Sequence, residues 1–299
     1  MAAAFNSVDA GCKVAIVKLD NERESRNVED RRGSGGGGLS GGRIAGGGLG
    51  MVAIALVAMF LGVDPGQLMQ VIDGGSTPPA QQQGRTPDTA NDPNARFVSQ
   101  VLASTEDVWT AAFQRAGKQY EPPRLVLFSG STQSGCGAAQ AAMGPFYCPS
   151  DRRVYIDLVF FREMEQRLGA PGDFARAYVI AHEVGHHVQN ILGILPRAQQ
   201  EQQRLGGTGA AAISVRVELM ADCLAGFWAR RADEMRRILD QGDIEEGLQA
   251  AAAVGDDRLQ GSGARQEHFT HGTSQQRAQW FRTGLQASDV DGCDTFRRG

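Results

Sequence analysis

Three of the five histidines in this 299-residue chain stand within six positions, His182, His186 and His187. With Glu183 they spell H-E-x-x-H. On an α-helix, positions i and i+4 share one face, so the imidazoles of His182 and His186 can reach one metal ion. Glu183, one step round the helix, can hold a metal-bound water and take its proton. Imidazole and carboxylate ligands with one open position suit a catalytic Zn²⁺. A third ligand is required. The position where a metzincin carries another histidine, six residues after His186, is Leu192. Downstream, Glu218 and Asp222 stand at i, i+4 on an otherwise apolar helical face, and buried carboxylates need partners. Glu218 is the expected third ligand. Asp222, one turn on, is placed to accept the other N–H of a ligating histidine and fix its tautomer. His187 falls outside the spacing and reads as a polar residue on the helix surface.

These residues need elements to hold them. Pro171-Gly172-Asp173 opens a helix with Asp173 as N-cap. Phe174, Tyr178, Ala181, Val184, Val188 and Ile191 form its apolar face, and Gly193 is the stop. A second helical pattern runs through SVRVELMADCLAGFWARRAD. Val154, Ile156, Leu158 and Phe160 alternate as a strand. That strand is either the sheet edge on which a peptide substrate is added or an ordinary core strand. Cys136 and Cys148 flank a Gly/Ala/Pro-rich loop, so a bridge between them is the first expectation, with Cys223 joined to Cys293. Four cysteines allow three pairings. A structural zinc site of all four thiolates lacks any C-x-x-C spacing.

Composition bounds the rest. The chain is 41% hydrophobic and 21% charged with net charge −4, which argues against full-length disorder and against a basic nucleic-acid binder. The charged and then Gly-rich stretch before Arg43 lacks hydrophobic periodicity, so residues 1–43 are expected to be a disordered cytoplasmic tail. The first 20 residues lack the order of a signal peptide, which points to a start near Val17. Residues 44–63 carry no charge and suit a transmembrane helix. Arg23, Arg26, Arg31, Arg32 and Arg43 precede that run. No Lys or Arg lies in the 20 residues after it. The positive-inside bias therefore puts the N-terminus in the cytoplasm and the rest outside, on a single-pass protein of the plasma (inner) membrane. Residues 64–94 read as a linker, and residues 95–299 as one globular domain.

The stretches RNVEDRRG, SGCG, GPFYCPSDRRVYIDL, AHEVGHHVQN, RVELMADCLAG, GDIEEGLQAAAAVGDDRLQ, FTHGTSQQRAQWF and CDTF cover most of residues 25–296. In them the chain resembles the bacterial neutral zinc metallopeptidases (YpfJ-like). More distantly it resembles the HtpX-like and CAAX-prenyl-protease-like membrane peptidases, with an H-E-x-x-H helix and an E-x-x-A-D helix. The resemblance implies an α+β, zincin-like metallopeptidase domain, mainly helical with a small sheet, behind one N-terminal transmembrane helix. It implies one Zn²⁺ and hydrolysis of a peptide or protein substrate. A His-to-Arg spacing like that of His271 and Arg277 follows the zinc site in HtpX-like peptidases. This gives His271 the expected role of oxyanion donor, while Thr273 or Ser274 caps the helix behind it. Two rival classes stay open: a non-catalytic metal- or partner-binding envelope protein, and a different zinc hydrolase such as a deformylase or a cell-wall amidase. Intact Glu183 argues against the first. A deformylase takes an upstream cysteine ligand, for which Cys136 is available.

Overall fold

The computed structural model describes residues 17–19, 22–33, 84–261 and 263–297. The uncharged run at 44–63 lies outside them. No helix among the described residues is long and apolar enough to cross a membrane. The strands are β1 (Val28–Asp30), β2 (Arg124–Phe128), β3 (Ser131–Ser134), β4 (Gly137–Gln140), β5 (Phe146–Cys148) and β6 (Arg153–Asp157). The helices are α1 (Pro93–Arg115), α2 (Val159–Arg167), α3 (Asp173–Ile191), α4 (Ile194–Leu205), α5 (Gly207–Arg236), α6 (Asp243–Ala253), the short α7 (Asp256–Leu259) and α8 (Ser274–Gln286). The class is α+β, mainly helical with a small sheet.

The four-stranded sheet runs β1-β2-β6-β5, with β1, β2 and β6 parallel and β5 antiparallel. β3 and β4 form a separate hairpin. At β6 the expected strand is shortened, and the choice between edge and core strand is decided. The strand ends at Asp157, because its carboxylate accepts the N–H of Val159 at 2.9 Å and of Gly130 at 2.8 Å and so starts α2. Leu158 and Phe160 therefore leave the strand. β6 also lies between two partners, so it is a core strand and offers no free edge.

The expected disorder is corrected for residues 17–19 and 22–33, the part of the tail among the described residues. Val17, Leu19 and Val28 are buried in the main core. β1 pairs with β2 in the register Val28–Leu125, Glu29–Val126 and Asp30–Leu127. The charges that read as disorder are spent on distant partners. Arg23 reaches Glu106 and Asp107, both at 2.7 Å. Arg32 bridges Asp30 at 2.7 Å and Asp92 at 2.6 Å, and Glu22 receives Arg236 at 2.7 Å. Such pairings span the chain and are invisible to local composition. The end of the expected linker is structured too. Asp30 and Arg85 exchange both backbone hydrogen bonds, 2.7 and 3.0 Å, and Asp92 caps α1 ahead of Pro93. The folded domain thus begins before residue 95 and includes β1.

The core is built around α3, which packs against α5, α6, α1 and α4. Its N-cap is Gly172 at φ 108°, a conformation that favours glycine, and Asp173 stands inside the helix. Glu246 of α6 supplies the cap acceptor for the Phe174 N–H at 3.2 Å, which displaces Asp173 from the expected role. Gly193 stops α3 in the left-handed region at φ 74°, as expected. The cysteines pair as Cys136–Cys148 and Cys223–Cys293. The second bridge sits where α8 crosses α5. There Gly226 lies against the Phe281 carbonyl and Gly284 against that of Cys223, too close for any Cβ at either position.

Candidate metal centre

His182, Glu183 and His186 leave the buried side of α3 and Glu218 and Asp222 leave α5, each at most 8% exposed. Gly185 permits this approach. A Cβ there would stand 3.1 Å from the Ala221 carbonyl, tighter than ordinary contact. The glycine between the two ligating histidines thus lets α5 lie close enough for the residues flanking Ala221 to reach them.

Nε2 of His182 lies 3.2 Å from Glu218 Oε2, and Nε2 of His186 lies 3.4 Å from Glu218 Oε1. Ligating atoms of these three residues all fall within 4.8 Å of one another, and no other such group occurs among the described residues. The donor set is two imidazoles and a carboxylate. Each imidazole has its second nitrogen engaged: His182 Nδ1 with Asp222 Oδ1 at 2.9 Å, His186 Nδ1 with Gln189 Oε1 at 2.9 Å. A carboxylate or amide oxygen at Nδ1 holds the proton there and keeps the lone pair on Nε2, as a metal ligand needs. The residues therefore fit a zinc ion.

Asp222 does more than orient His182. It is fully buried and receives Arg277 of α8 through Nε at 2.8 Å and Nη2 at 2.9 Å, together with the Tyr178 hydroxyl of α3. Arg277, 3% exposed, also donates to the Val254 carbonyl. This buried bidentate pair joins α3, α5 and α8 around the ligands. Burial opposes the Asp222 charge, but the guanidinium and His182 hold its carboxyl below the usual range. Burial also opposes charge on Glu218, and the two histidines hold it well below. Glu183 goes the other way: burial raises its carboxyl, against the pull of both histidines.

Burial opposes protonation of His182, yet Asp222 and Glu218 outweigh it and raise the imidazole to about 9 in the metal-free protein. A metal needs the neutral ring. Zinc binding should therefore release a proton and tighten as pH rises towards about 9, because below that value metal must compete with the proton. Zinc competition titrations at several pH values read this; an affinity flat between pH 6 and 9 would contradict it.

His271 sits in the turn before α8, with Nδ1 3.1 Å from the buried Asp256 carboxylate, and it adds to the field that lowers Glu218. Thr273 caps α8 in a capping box with Gln276, as expected. His187 is the clear miss. It is 1% exposed, with Nδ1 3.1 Å from the Tyr147 hydroxyl and Nε2 2.7 Å from the Glu121 carbonyl. Burial lowers its pKa to about 4, so it is neutral and donates to that carbonyl. It pins α3 to β5 and does not sit on a free surface. Tyr178, Gln189 and the Arg277–Asp222 pairing were not read from sequence. Gln189, three residues after His186, was the one with a local signal.

Among known proteins, 48% identity extends over 288 residues to the uncharacterized protein YpfJ of Escherichia coli (strain K12), covering 94% of this chain and 99% of the relative. The uncharacterized protein Rv2575 of Mycobacterium tuberculosis (strain ATCC 25618 / H37Rv) is 43% identical over 257 residues, 80% of this chain and 85% of that one. No solved structure matches. The family described as "Putative neutral zinc metallopeptidase" matches residues 17–296, and the chain belongs to it.

Proposed function

We propose that the protein is a zinc-dependent endopeptidase. The observation that carries this reading is the convergence of His182, His186 and Glu218, each imidazole with its second nitrogen held by Asp222 or Gln189. A zinc ion bound there would act as a Lewis acid and lower the pKa of a water. Around it, Glu183 takes the proton of the attacking water and passes it to the leaving amine. Burial raises its pKa above the ordinary carboxylate value, which makes it a stronger base than an exposed carboxylate. Asp222 and Gln189 hold the two imidazoles in the ligating tautomer. Arg277 and Tyr178 hold Asp222. His271 is the donor to the developing oxyanion, with Asp256 fixing its Nδ1. The H-E-x-x-H helix beside a small sheet supports a zincin-like arrangement, with β5 the outer strand next to β6.

Two disulfides support an oxidising compartment outside the cytoplasm for this domain. The uncharged run at 44–63 supports membrane attachment. The test uses the full chain: zinc content, then cleavage of a random peptide library with and without chelator. One zinc per chain and chelator-sensitive internal cleavage, restored by zinc, is the expected result. Zinc binding without cleavage of any peptide would leave a binding module instead.

A further inference from the structure

The end of the described segment 22–33 and the start of the segment 84–261 lie side by side. Asp30 and Arg85 exchange both backbone hydrogen bonds, 2.7 and 3.0 Å, and the backbone at Gly33 lies against the Arg85 guanidinium. Residues 22–33 are integral to the fold on one side of this junction. β1 extends the sheet beside β2. Ser25 and Asn27 donate to the buried Glu106 at 2.5 and 2.8 Å, and Arg31 donates to the Gln133 carbonyl at 3.0 Å. Glu22 and Arg236, 214 positions apart, are joined at 2.7 Å.

A single crossing would separate these partners by the hydrocarbon core, about 30 Å thick. Strand pairing and ion pairs of under 3 Å do not survive that separation. Crossing out and back would need roughly 40 apolar residues as two helices. Between positions 34 and 83 the sequence holds one uncharged run long enough for a spanning helix, 44–63, with five glycines in it. Asp64-Pro65 and a Pro/Gln/Gly-rich stretch follow. We propose that residues 22–33 and 84–297 occupy the same side of the membrane.

This also explains why the arginine count pointed the other way. Of the five arginines before the run, Arg23, Arg31 and Arg32 are engaged in ion pairs that build the fold, to Glu106 and Asp107, to Glu29, and to Asp30 and Asp92. They hold structure together, and counting them as an orientation signal misassigns them.

The inference is independent of the catalytic reading and is tested on the full-length chain in cells. In a Cys12→Ser background, Arg26→Cys and Gln199→Cys are made separately, both at exposed positions. Each is treated with a membrane-impermeant maleimide before and after lysis. The expected result is the same intact-to-lysed labelling ratio for both, within about twofold. Near-complete labelling of one in intact cells, with the other labelled only after lysis, would overturn the proposal. Glu24→Cys with Arg282→Cys, also exposed, repeats the comparison if one of the first pair fails to accumulate. Both labelled in intact cells agrees with the disulfides; both protected until lysis keeps the shared side but removes the extracytoplasmic placement.

Discussion

Glu183→Gln is expected to lower peptide hydrolysis by about 10²–10⁴-fold, the typical worth of a positioned proton-transfer group, while zinc content and fold stay unchanged. The reason lies in the division of labour on α3. The atoms that converge on Glu218 belong to His182 and His186, and Glu183 is not one of the three clustered ligands. The substitution keeps the size of the side chain and removes only its capacity to accept a proton. It also removes a carboxyl that burial already disfavours as a charge, so no stability loss is expected. Rate against a cleaved library peptide, metal content and circular dichroism are the three readouts. Retention of full activity would sink the general-base assignment, and loss of zinc would make Glu183 a ligand.

The second large effect separates two acids one turn apart. Glu218→Ala removes a ligand and should purify without zinc. Asp222 should not be tested by truncation to alanine. That change would leave Arg277 buried without a counter-charge, and breaking such a pair costs about 3–5 kcal/mol. Asp222→Asn also removes that counter-charge, but it keeps the shape of the side chain and an oxygen acceptor for His182, so circular dichroism checks its fold before metal is measured. It should keep zinc but bind it about 10–100-fold more weakly, as changes behind a metal ligand do. Graded chelator dialysis followed by metal analysis compares the two. If Asp222→Asn sheds metal first while Glu218→Ala retains it, the roles are exchanged. If neither sheds it, the third ligand lies elsewhere, with His268 and His271 the next to examine.

The cluster that could hold a metal was legible because helical geometry is local: four positions bring His182 and His186 to one face, and two acids on an apolar face of α5 must be compensated. The two disulfides followed from the loop between Cys136 and Cys148, which left the other pair. What local reasoning missed depends on partners far away in the chain. Arg277 reads as one more arginine of an amphipathic helix until α8 is laid on α5, 55 positions from Asp222. His187 reads as surface until β5 arrives with Tyr147, 40 positions away. The segment 22–33 reads as disordered because its charges look unsatisfied, and three of them are satisfied across 60 residues or more, at Arg32–Asp92, Arg23–Glu106 and Glu22–Arg236.

Helices α5 and α8 meet backbone to backbone at Gly226 and Gly284, and that contact sets how far Arg277 reaches towards Asp222. Two positions without a functional group therefore decide whether the metal-binding one is assembled. Descent with loss of activity could begin there, leaving His182, Glu183, His186 and Glu218 untouched. A larger residue at either glycine would force α8 away from α5 and still leave the sequence motif unchanged.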